Sequence, residues 1–148
     1  MTHWTDYEHF FIKNLHELKV GYSLDTPVFG DIDLQAHRDW EEWVCGVVGL
    51  KAVLPLWQQN RKQLVLQILD SGMKTFIVSC NTTMGFKYLG QQITRELVEE
   101  LEYIGVDACG ENGEYHTLVT DCKLFKSHIT ASIGVKKQHE NYCFIEIR

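Results

Sequence analysis

At 148 residues, 45% of them apolar, the chain is about one domain long and can bury a real core. Its formal net charge of −6, with Glu96, Glu99, Glu100 and Glu102 clustered, argues against a nucleic-acid surface. Nor does any run span a bilayer: residues 44–57, the longest apolar stretch, contain Gly46, Gly49, Lys51 and Pro55 and fall short of the roughly 20 residues required.

Thr5-Asp6-Tyr7-Glu8 is a capping box, and Tyr7, Phe11, Leu15 and Leu18 recur behind it at helical spacing, which predicts an amphipathic helix ending near Gly21. Residues 26–29 form a short predicted strand running into Gly30-Asp31. Ala36, Trp40, Trp43, Val44 and Val47 are the apolar stripe of a second helix over 34–48, stopped by Gly49. A strand over 51–54 follows, and Asn60 caps a third helix whose apolar residues Leu64, Val65, Ile68 and Leu69 stop at Gly72. Residues 75–80 are a β-rich run of the kind buried in a parallel sheet.

The resulting β-α-β-α-β order predicts an α/β fold, with a partial Rossmann-like three-layer unit over residues 1–80. A three-stranded sheet of this sort leaves an edge bare, so a homo-oligomer is expected. A polar linker over 81–83 leads to a smaller α+β region, residues 84–148. That region carries a helix with Ile93, Leu97, Val98, Leu101 and Ile104, ended by Gly105, and strands over 118–122, 127–135 and 142–147. Turns are expected near Lys123 and over 137–141.

Cys45, Cys80, Cys109, Cys122 and Cys143 form no C-x-x-C pair and leave one over if paired, so a reduced, cytoplasmic setting is expected. The N-terminus, with Asp6 and Glu8 close to Met1, does not resemble a signal peptide. His3, His9, His16, His37, His128 and His139 lack metal-ligand spacing, and no metal ligands are assigned.

The densest chemistry lies in Gly110-Glu111-Asn112-Gly113-Glu114-Tyr115-His116-Thr117, between a helix and a β-like run. Glycines let a ligand approach main-chain N–H groups, and carboxylates are costly to bury unless paired or bonded. Glu111 and Glu114 read either as acceptors for Mg²⁺ or an ammonium-like group, or as caps of neighbouring N–H groups in a tight turn. Asn112 can orient a carbonyl. His116 can act as a general base or simply pack on one face of a strand. Cys109 has no visible activating partner and reads as an inert thiol.

Gly30-Asp31 lies beyond a strand's carboxyl end, where open α/β sheets bind ligands. Asp31 there contacts a nucleotide, or Asp31 or Asp33 is the N-cap of the following helix.

Taken in order, Val28-Phe29-Gly30-Asp31-Ile32, Pro55-Leu56-Trp57, Gly110 to Thr117 and Asp121-Cys122-Lys123-Leu124-Phe125 resemble the C-terminal half of the diphthine-ammonia ligase family, N-type ATP pyrophosphatases of the PP-loop superfamily. The resemblance covers nearly the whole chain. The family's Ser-Gly-Gly-x-Asp-Ser phosphate loop has no match here: Asp70-Ser71-Gly72-Met73-Lys74 is a helix stop. The chain therefore corresponds to the part of a member that follows its first strands.

The resemblance implies the C-terminal part of an ATP-dependent amide ligase in which, once the phosphate loop is supplied, ATP and Mg²⁺ adenylate a carboxylate and ammonia displaces AMP. In archaeal and eukaryotic members the carboxylate is diphthine on elongation factor 2. It also implies Gly30 and Asp31 as nucleotide contacts. Glu111, Glu114 and His116 would be the catalytic groups, and Gly110, Asn112, Gly113, Tyr115 and Thr117 substrate contacts. The rivals are a non-catalytic binding or dimerisation module that kept the fold and a metal-assisted hydrolase built on Glu111, Glu114 and His116.

Overall fold

The computed structural model describes the backbone of residues 3–148 and side chains from Asp6 onward. Its residues divide into two compact units, Met1–Gln59 and Asn60–Arg148.

In the first unit, helix α1 spans His3–Tyr22 and helix α2 spans Gln35–Val47. Helix α1 starts two residues ahead of Thr5, which therefore does not cap it; the Thr5 side chain lies outside those described. Aromatic rings join the two helices: Trp40 lies 5.8 Å from Tyr7 and 4.9 Å, edge-on, from Phe11. Lys19 Nζ donates to the Val48 carbonyl at 2.6 Å, satisfying an orphan acceptor at the end of α2. The two expected strands shrink to a single parallel bridge, Val28 with Val53, closed by Phe29 N to Val53 O and Val53 N to Pro27 O, both 3.0 Å.

In the second unit, helix α3 spans Arg61–Asp70, strand β1 Lys74–Asn81 and helix α4 Arg95–Tyr103. Strands β2, Tyr115–Asp121, β3, Ile133–His139, and β4, Tyr142–Ile147, follow. Asn60 caps α3 as expected, its side chain accepting from Gln63 N at 3.0 Å, and Thr94 caps α4. The four strands form one antiparallel sheet in the order β2-β1-β4-β3. Ile77, Cys80 and Cys143 from the sheet pack with Leu97, Val98 and Leu101 of α4 and Val65 of α3 to make the core.

The mixed α/β class stands, but the wiring differs from the β-α-β-α-β expectation. Residues 75–80 do not join a parallel sheet: β1 pairs antiparallel with β2 and β4 inside the second unit. The run from Cys80 to Met84 is no linker, since Thr82 N donates to Asn141 O at 2.9 Å and Met84 is buried in the core. The division falls at Asn60, and residues 127–132 lie outside β3. Alternation identifies a strand's two faces but not its partner or direction, because the side-chain period is the same in both sheet types. The sheet's edges are β2 and β3, not a parallel strand.

Candidate functional site

The segment 107–117 connects the end of α4 to β2. It opens as a turn, with Gly110 N donating to the Asp107 carbonyl at 3.0 Å, and Gly113 N repeats the motif on Gly110 O at 3.0 Å. Gly110 has φ +70° and a Cβ there would stand 2.9 Å from the Tyr115 carbonyl oxygen, so only glycine fits.

Two carboxylates shape the rest. Asp107 accepts from Cys109 N at 3.3 Å and Glu111 N at 3.1 Å. Glu114 accepts from Asp107 N at 3.2 Å, Asn112 N at 3.0 Å and Asn112 Nδ2 at 3.2 Å. Every amide from Cys109 to Gly113 thus donates within the segment. Arg61, at the start of α3, donates to Asp107 Oδ2 and, at 3.3 Å, to Asn112 Oδ1, while Cys109 Sγ donates to the Arg61 carbonyl at 3.0 Å. Tyr115 is buried and its hydroxyl donates to Ala108 O; burial pushes its phenol pKa far up. Tyr142 Oη donates to Gly113 O at 3.3 Å.

Glu111, His116 and Thr117 are exposed, and with Cys109, Gly110, Gly113 and Tyr115 they line an open polar hollow of about 380 Å³. Of the expected catalytic residues, then, Glu111 and His116 face a common hollow, whereas the carboxylate of Glu114 holds the backbone. Asn112 likewise spends its amide on Glu114 and Arg61, and Tyr115 its hydroxyl on Ala108. Arg61 and Asp107 were not singled out from sequence. Asp107 had a signal, the Asp and Gly at first and fourth positions of a turn; Arg61 had none beyond following a cap.

In the first unit Gly30 is exposed, and the position of a Cβ there is open space. Neither Asp31 nor Asp33 caps α2: its N-cap is Leu34, without a side-chain bond. Asp31 Oδ1 instead lies 2.7 Å from His37 Nδ1 and within hydrogen-bond reach of Glu41, which is 4% exposed. Burial, then the hydrogen bond to Asp31 and its negative charge, push the Glu41 carboxyl up to about 7. Cys45, one turn on, is pushed up by burial and then by Glu41. Glu41 and His37 were also missed as partners of Asp31, because six to ten residues of chain separate them from it.

Neither segment fits the phosphates of ATP: one has spent its consecutive amides internally, and the other presents a carboxylate, which only accepts. Among the described residues no three His, Cys, Asp or Glu stand together as metal ligands.

Residues 60–148 match the family model described as the diphthamide synthase C-terminal domain, starting at the residue where the second unit starts. The chain belongs to this family. It is 29% identical over 146 residues to a mouse diphthine–ammonia ligase, covering 92% of this chain and 54% of that protein. A human diphthine–ammonia ligase is 35% identical over 94 residues, 60% of this chain and 35% of its own length. A counterpart from Schizosaccharomyces pombe is 30% identical over 133 residues, 84% of this chain and 22% of the yeast protein. The chain thus spans about half, or less, of the curated relatives it matches. No helix among the described residues is long and apolar enough to cross a membrane, and all five cysteines are free.

Proposed function

We propose that this diphthamide synthase family chain serves as the acceptor-handling part of an ATP-dependent ligase that adenylates a carboxylate and lets ammonia displace AMP. The observation that supports it most is the division of labour in 107–117: Asp107 and Glu114 hold the backbone while Glu111, His116 and Thr117 surround an open hollow. In this reading Glu111 accepts hydrogen bonds from the incoming nitrogen, and His116 takes the proton that nitrogen loses as the amide forms. Holding both groups on a rigid segment supplies the orientation such a step needs.

Asp31 is the proposed nucleotide contact, taking hydroxyl or amino donors of the nucleoside, while the phosphates and Mg²⁺ are gripped by residues other than these. The carboxylate substrate is diphthine on elongation factor 2 in this proposal. A homo-oligomer would form through β2 or β3, the latter exposing Ile133 and Val135.

The test is ammonium-dependent release of AMP when the chain is combined with a segment bearing the phosphate loop and supplied with the diphthine-bearing factor. Glu111→Gln is expected to lower kcat at least tenfold with the fold intact. AMP release that ignores ammonium, or a Glu111→Gln variant at full rate, overturns the reading.

A further inference from the structure

Cys143, Ile145 and Ile147 share one face of β4, and along it their exposure rises from 1% to 6% to 39%. The core therefore opens toward the Ile147 end. There it holds a cavity of about 260 Å³ walled by Phe76, Val78, Leu118, Ile133, Ile145 and Ile147. Among the described residues none of α3 or α4 lines it; residues 128–131, in the connection from β2 to β3, close it instead. Ile129 N donates to Thr120 O at 2.7 Å, and Ser132 and Arg148 exchange backbone hydrogen bonds at 2.8 and 3.1 Å, so the connection is pinned at both ends and the cavity is pre-formed.

The rim has the opposite character. His128 and Thr130 line it, both exposed, and among the described residues neither side chain makes a hydrogen bond. Lys123 and Lys126 lie in the same connection, exposed and without an ion pair among the described residues. Residues 122–132 contain no Asp or Glu, in a chain whose net charge is −6. Apolar walls beneath unspent donors and positive charge fit a ligand with a hydrocarbon body and an anionic head. On the scale where an apolar cavity of ~150 Å³ holds benzene, the space takes a body of about eight to ten carbons. A two-chain lipid exceeds that space, and an inorganic anion would leave the apolar walls unused.

We propose that this cavity binds a free carboxylic acid of medium chain length, its hydrocarbon body against Ile145 and Ile147 and its carboxylate facing the basic 122–132 connection. The site is separate from the 107–117 hollow, and its occupant is recognised by apolar burial and charge together.

The test is methyl-carbon NMR of the full chain titrated separately with octanoate, octanol, octylamine and acetate, repeated on a Lys123→Gln/Lys126→Gln double variant whose changes lie on exposed side chains. Octanoate is expected to shift the Ile145 and Ile147 methyls saturably and to bind at least threefold tighter than octanol or octylamine, with acetate giving no response there. In the double variant the preference for octanoate over octanol should vanish, while octanol binds within twofold of the parent. No saturable shift of these methyls with octanoate overturns the site. Octylamine or acetate binding as well as octanoate, or a preference that survives loss of both lysines, overturns the assignment of an acid.

Discussion

Segment 107–117 and the Asp31–Glu41 pair both bring acidic side chains out of bulk water, but they surround them with opposite partners. Asp107 and Glu114 each accept from at least two N–H donors, and Asp107 also faces Arg61. Glu41 is buried with its Oε2 unbonded beside a like-charged neighbour, and its carboxyl is pushed up to about 7. Residue type is shared, and burial and the supply of donors are what differ.

The sharpest break in this comparison is Gly110→Ala. Forcing φ +70° on a β-carbon and pressing it to 2.9 Å from a carbonyl should cost about 2–5 kcal/mol and disorder the hollow, as read by urea unfolding and amide exchange of 109–116. An Ala variant within about 0.5 kcal/mol of the parent would mean the segment is not locked as described.

Next comes pH. The folded-state pKa of Glu41 lies above its ordinary 4.5, so its proton stabilises the fold below that value, and the contribution is lost as pH rises through about 7. At about 1.4 kcal/mol per unit the loss is on the order of 3 kcal/mol. Thermal melts between pH 4.5 and 8 should show it, and Glu41→Gln should flatten this slope.

Glu114→Ala should follow at about 2 kcal/mol, since it strands two backbone donors, with Glu114→Gln recovering part of that. Loss of turnover in Glu114→Gln without loss of stability would instead return Glu114 to the reacting groups. Smallest is Gly30→Ala, expected within about 0.5 kcal/mol by the same melts, because its Cβ position is empty. A larger loss would show that the backbone there needs glycine rather than open space.

Helices were legible in the sequence because their signals are local. Asn60 caps α3 and Gly72 and Gly105 follow α3 and α4 with positive φ, as the stop pattern requires. The chemical segment was legible too, since two glycines and two glutamates in eight residues serve no ordinary turn. Its inner organisation was not: which glutamate holds the backbone and which faces solvent depends on where Asp107 and Arg61 arrive.

By itself, then, the sequence determined the helices and their ends, the location of the 110–117 segment and, through its motifs, the family. Tertiary structure alone decided that β1 joins an antiparallel sheet, that Glu114 is spent on amides, and that Glu41 rather than a helix cap is the companion of Asp31. Capping and helical periodicity act over three or four residues and leave marks in the chain. Strand partners and carboxylate charge depend on atoms brought together from far along it, and those leave no local pattern to read.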